Sequence, residues 1–132
     1  MKFFMNLKRK FSYFRSIADS RFSSNSFSQF GEDLMVAQAL SIIGENNVSY
    51  LDIGANHPCL LSNTYYFYKR GGKGILIEPD PLLCKSLRLK RPRDKVLNCG
   101  VGFTKENESA ILYRFNAPVL NTFSREEALQ VE

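Results

Sequence analysis

The residues best placed to do chemistry in this chain are two acids and the glycine between them. Asp52 sits inside the apolar run "SYLDIG" (residues 49–54), and Gly54 ends that run, with Ala55, Asn56, His57 and Pro58 next. Glu78 ends a second apolar run, "GILIE", 24 residues beyond Gly54. A run that stops in glycine lets the backbone turn and approach a ligand closely. Asn56 belongs to the non-glycine type that best tolerates the left-handed conformation such turns use. An acidic side chain about 20 residues downstream is where a ribose hydroxyl pair would be held. The spacing predicts a nucleoside cofactor.

The missing glycines select among such cofactors. A dinucleotide loop reads G-x-G-x-x-G and presses a helix N-terminus against the diphosphate. Here the second and third glycines are absent, and Pro58 with the capping candidates Ser62 and Asn63 delays the next helix by several residues. S-adenosylmethionine carries a ribose and an amino acid but no phosphate, so a glycine-poor loop can still hold it. Asp52, at the strand end, is placed to reach its ammonium group or a loop amide. His57, the single histidine, has the chemistry of a general base near neutrality. Beside proline in a turn, its conformational role is the stronger reading, and no catalytic residue is assigned.

These residues need strands and helices to hold them. From Phe30 to Ile43, Leu34, Ala37 and Leu40 mark one helical face, with Glu32 and Asp33 in the first turn and Gly44 as the stop. Strand "VSYLDIG" leads into helix "SNTYYFYKR", closed by Gly71 and Gly72. Strand "GILIE" leads into helix "PLLCKSLRLKR", with Pro81 in its first turn and Pro92 ending it. Strand "KVLNCGV" follows, then a fourth strand "SAILYRF", and a last helix starting at Thr122 or Ser124. Strands alternating with helices through short turns predict an α/β fold: a parallel sheet, right-handed crossovers and flanking helices. The continuous apolar strands predict that both sheet faces are covered. Tyr65, Tyr66, Phe67 and Tyr68 read as core packing rather than as a platform for an acceptor. The basic runs "KRGGKG" and "RLKRPR" read as complements to helix dipoles.

Composition narrows the alternatives. The 132 residues are 44% hydrophobic, enough for one packed domain. Residues 1–27 hold six basic residues against Asp19 alone, which accounts for the whole net charge of +5. The domain proper, residues 28–132, is neutral and offers no basic track for nucleic acid. In the arm, Phe3, Phe4, Leu7, Phe11, Phe14 and Ile17 recur at helical spacing, so residues 1–21 suit peripheral contact with an anionic membrane surface. Three cysteines without a CxxC pair and one histidine argue against zinc and for reduced thiols in a cytoplasmic protein.

Three blocks, "SQFGEDL" (28–34), "LDIGANHPCLLSNTYYFYKRGGKGILIEPDP" (51–81) and "RPRDKVLNCGVG" (91–102), resemble FkbM-type S-adenosylmethionine-dependent methyltransferases, and the likeness continues through "LNTFSREEA". The resemblance implies a Rossmann-like class I methyltransferase fold. It also implies methyl transfer to a hydroxyl oxygen of a sugar, polysaccharide or natural product. It places Asp52, Gly54, Ala55 and Asn56 in the first cofactor loop, Glu78 on the ribose, Asn98 near the adenine, and Gln29 and Glu32 toward the methionine end. Strands that would complete the crevice on the far side of the first strand, with an acidic block, do not follow. The expectation is therefore a domain incomplete at its C-terminus, with only one wall to its crevice, whose second half another chain could supply. The competing expectation is a catalytically inactive half-domain that acts through interaction or membrane association.

Overall fold

The computed structural model describes residues 25–102 and 109–131. The amphipathic reading of residues 1–21 lies outside the described residues. Helix α1 (Glu32–Ile42) is followed by strand β1 (Ser49–Ile53), helix α2 (Tyr65–Lys69), strand β2 (Lys73–Ile77), helix α3 (Pro81–Lys90) and strand β3 (Lys95–Leu97). A 3-10 turn over Pro118–Leu120 and helix α4 (Arg125–Ala128) complete the described chain. The three strands form one parallel sheet in the order β1-β2-β3, with Leu51 opposite Ile75 and Ile75 opposite Lys95.

Local chemistry explains where the elements stop. Gly44 adopts φ +79 after α1, and the amide of Glu45 returns to the carbonyl of Leu40, which ends the helix in a left-handed turn. Gly71 does the same after α2 with φ +96, while the amide of Gly72 bonds the carbonyl of Phe67. Asp80 caps α3, its Oδ1 accepting from the amide of Leu82 at 2.8 Å, and Pro81 occupies the first turn. Ser62 still receives the amide of Tyr65, but Thr64 is the boundary residue, so α2 begins one residue later than a cap at Asn63 would place it and two later than a cap at Ser62. Ser124 rather than Thr122 caps α4.

The core lies between the sheet and the helices on one side of it. Leu76, Leu87 and Ala55 form its buried centre, with Tyr50 and Val96 packed against them. Tyr66, Phe67 and Tyr68 are buried on α2, and α1 packs along that helix. Both crossovers step in the same direction along the sheet, so right-handed connections place α2 and α3 on the same face.

That geometry corrects two expectations. The opposite face is not covered by the described residues: Leu51, Ile53 and Ile75 are 60%, 59% and 38% exposed. Covering it requires crossovers that step the other way, and the described strands make none. The expected fourth strand over "SAILYRF" does not form either. Among the described residues the segment makes a single antiparallel bridge, Tyr113 to Thr122. It turns back over the carboxyl ends of the strands, tied by the amide of Phe115 to Asn121 Oδ1 and by Arg114 to Asp80 at 2.8 Å. β3 is shorter than expected and ends at Leu97, and the side chain of the next residue, Asn98, donates to the carbonyls of Glu78 and Pro79.

Candidate functional site

The corner at the carboxyl ends of β1 and β2 is built around Glu78. Gly54 turns the chain with φ +75, and the amides of Gly54 and Ala55 both bond the carbonyl of Ile77. The next residue, Asn56, takes φ +51 and aims its amide at Glu78 Oε2, 2.8 Å away. Glu78 Oε1 accepts the amide of Asp80 at 2.9 Å. The carboxylate is almost fully buried, yet each oxygen, with one amide bound, keeps acceptor capacity. Beneath it the Cys84 thiol donates to the carbonyl of Glu78, and burial pushes that thiol's pKa up.

Glu78 opens on a cleft of about 310 Å³. Gly54, Asn56 and Pro79 line its floor, Cys99, Gly100 and Val101 one side, and Leu112, Pro118, Val119, Asn121 and Phe123 the other. The crevice therefore has a second wall, made by the segment that the sequence predicts as a strand and by the turn after it. A side chain at Gly100 would stand 2.8 Å from the ring of Phe123, so the glycine permits that wall to close in. Among the described residues the lining is largely apolar, with Glu78 as its one carboxylate and no Lys or Arg.

The other sequence candidates are spread over several places. Ala55 is buried in the core behind the turn. Asp52 points to the helical side of the sheet, where Oδ2 accepts from the Thr64 hydroxyl at 2.5 Å. Asn98 clamps the backbone of residues 78–79 and does not line the cleft. Gln29 is exposed, and Glu32 Oε2 accepts the amide of Phe30 in the turn before α1. Neither lines the cleft. The buried acid in that block is its neighbour Asp33, which takes the hydroxyls of Ser26 and Ser28 and the amide of Phe27. Burial works to raise its pKa, but these hydrogen bonds outweigh burial and hold it below the ordinary aspartate value.

His57 has a conformational role set by its hydrogen bonds. Its Nδ1 accepts the amides of Cys59 at 3.1 Å and Leu60 at 2.9 Å. That nitrogen is occupied as an acceptor, so in the neutral ring the proton sits on Nε2. None of Tyr65, Tyr66, Phe67 and Tyr68 lines the cleft. No cluster of His, Cys, Asp or Glu able to hold a metal occurs among the described residues, and no described helix is long and apolar enough to cross a membrane.

Sequence reasoning missed two parts of the site. One is Asp80, whose Oδ1 caps α3 while Oδ2 receives Arg114 at 2.8 Å and Asn121 at 3.4 Å, fastening the second wall to the first. The signal is present in "EPDP", where an acid precedes proline at a helix start. The other is Arg91, which reads as a dipole complement in the sequence but is fully buried in the fold.

A family described as "Methyltransferase FkbM domain" matches residues 52–127, more than half of the chain. No curated protein and no solved structure gives a match. The matched span, from Asp52 in β1 to Glu127, takes in Gly54, Glu78 and the wall at Phe123. The chain belongs to the FkbM methyltransferase domain family.

Proposed function

We propose that this domain binds S-adenosylmethionine in the cleft at the carboxyl ends of β1–β3 and transfers its methyl group to a hydroxyl oxygen of a sugar, polysaccharide or natural product. The observation that carries the reading is the Glu78 carboxylate, fixed by the amides of Asn56 and Asp80 at the mouth of a cleft whose described lining holds no cationic side chain. A dinucleotide would bring a diphosphate to a lining with nothing positive, among the described residues, to meet it. A sulfonium nucleoside brings a positive charge and hydroxyl donors, both of which suit a carboxylate.

Glu78 would take the ribose hydroxyls, Gly54 and Asn56 would present backbone close to the ligand, and Val101, Pro118, Val119 and Phe123 would sandwich the base. Bound there, S-adenosylmethionine supplies a methyl group already activated on sulfur. The chain's own contribution is to hold that group, exclude water with apolar walls, and bring the acceptor oxygen into line. His57 is not assigned the proton, because its Nδ1 already accepts two amides.

Calorimetric titration of S-adenosylmethionine into the folded chain, with NAD in parallel and Glu78→Gln as the variant, tests the proposal. Saturable binding of S-adenosylmethionine that the variant weakens, with no heat from NAD, is the expected result. Binding of NAD in preference, or no binding by a chain whose circular dichroism shows it folded, overturns it.

A further inference from the structure

The side chain that fixes the loop between β1 and α2 comes from the far end of α3. Arg91 follows the last residue of that helix and is fully buried. Its Nε donates to Asp94 at 2.7 Å, one terminal nitrogen to Ser62 Oγ at 3.2 Å and the other to Thr64 Oγ1 at 2.9 Å. Asp94 in turn accepts the Tyr50 hydroxyl and the amide of Gly74. The guanidinium lies among the rings of Tyr50, Tyr65 and Tyr68, 5.2–6.0 Å from their centroids. It is a satisfied, charged plug in the layer between sheet and helices.

Its bonds have a direction. The guanidinium can only donate, so the Thr64 oxygen accepts from it and must spend its own proton elsewhere. That proton goes to Asp52 Oδ2 at 2.5 Å. Arg91, Thr64 and Asp52 thus form a relay with no reversible member. It reaches from the end of α3 to β1 two residues before Gly54. Ser62, held by the same guanidinium, accepts the amide of Tyr65, and its own amide bonds Phe27. Between Asp52 and Ser62 runs the loop that carries Gly54 and Asn56, and both of its ends are tied to one side chain.

From this geometry we infer that Arg91 is a positioning residue for the cofactor loop. It acts through Thr64 and Ser62 to hold residues 54–61 in the form in which the Asn56 amide meets Glu78. The inference rests on the proposed cofactor reading for its functional consequence, but its structural content does not. Three replacements separate the roles. Thr64→Val keeps the shape and cuts the relay, Arg91→Lys keeps the charge and loses the fork, and Arg91→Met removes both.

The experiment is hydrogen–deuterium exchange by mass spectrometry on each variant without ligand, followed by calorimetric titration with S-adenosylmethionine. Thr64→Val is expected to speed exchange across residues 54–62 while β2 and β3 keep wild-type protection, and to weaken cofactor affinity about tenfold to a hundredfold by loss of preorganisation. Arg91→Lys should not restore the loop, because one ammonium cannot serve Asp94, Ser62 and Thr64 together. If Arg91→Met fails to fold, Thr64→Val still decides the matter. Wild-type exchange at residues 54–62 in Thr64→Val and Arg91→Lys overturns the inference. Absence of cofactor binding by the wild-type chain, with the loop effect present, overturns the proposed function and leaves the positioning role standing.

Discussion

Glu78 Oε2 and the amide of Asn56 meet at 2.8 Å across 22 residues of sequence, so the turn after β1 and the end of β2 form one corner. The acid that reads as a ligand-binding residue is also the bracket that holds its own binding loop. Glu78→Ala should therefore cost stability as well as affinity. It leaves a buried amide and a half-buried one without an acceptor, a loss of about 1–3 kcal/mol, or a melting temperature lower by roughly 4–12 °C. A thermal melt of the purified variant checks this. An unchanged melting point would show that the corner is held by other bonds.

Gly74 and Gly102 make a contrasting pair. A side chain at Gly74 would lie 2.2 Å from the carbonyl and ring of Tyr50, inside the sheet, whereas no described residue stands within 4 Å of the same position at Gly102. Gly74→Ala is expected to unfold the domain or lower its stability by more than about 3 kcal/mol, while Gly102→Ala stays within roughly 0.5 kcal/mol of wild type. Urea denaturation of both proteins separates the outcomes.

Asp33 gives the domain an acid-sensitive anchor. Its hydrogen bonds hold its folded pKa below the ordinary aspartate value of 3.8. It therefore stabilises the fold fully above that value and loses its contribution as pH falls through the folded pKa. The stability gap between wild type and Asp33→Asn should be constant from about pH 7 to pH 5 and close steadily below about pH 4. Denaturation curves across that range measure the gap. A gap that persists undiminished at the acid end would contradict the assignment.

The two partners at Asp80 should respond unequally. Arg114 is nearly half exposed, so Arg114→Ala is expected to change stability by at most about 1 kcal/mol. Asp80→Ala removes the cap of α3 together with both tethers to the second wall, and should cost about 1–2 kcal/mol from the cap alone. Alkylation of the exposed Cys99 thiol in the cleft reports whether the wall has loosened. Labelling should be faster in Asp80→Ala than in Arg114→Ala.

Much of the architecture is legible in the sequence because local signals and packing agree. Gly44, Gly71, Pro81 and Pro92 mark boundaries that backbone geometry alone enforces. Gly54, Asn56 and Glu78 can be placed together because parallel strands carry their C-terminal loops to one edge. The partners of Asp52 and Asn98, the Thr64 hydroxyl and the carbonyls of residues 78 and 79, are not legible, because a side chain's hydrogen bonds to distant groups leave no sign in sequence. Arg91 is hidden for a related reason. A basic residue at a helix end has an ordinary exposed reading, and only the three-dimensional meeting with Ser62, Thr64 and Asp94 turns it inward. The "SAILYRF" segment has strand composition, yet Asp80 and Asn121 hold it across the strand ends. Tertiary bonds there outweigh local preference.

The one-directional order of the sheet also bears on how the domain assembles. Each strand pairs with its neighbour in sequence, Ser49 with Lys73 and Ile75 with Lys95, so the closing segments differ by only a few residues. Their closure entropies differ by about 0.2 kcal/mol, too little to set a sequence of events. The choice then falls to the strength of each pairing, and the five-residue ladder between β1 and β2 exceeds the three-residue ladder between β2 and β3. The β1–α2–β2 unit should nucleate folding, with β3 condensing onto it. Mutations at Leu76 would then slow refolding, whereas those at Val96 would mainly hasten unfolding.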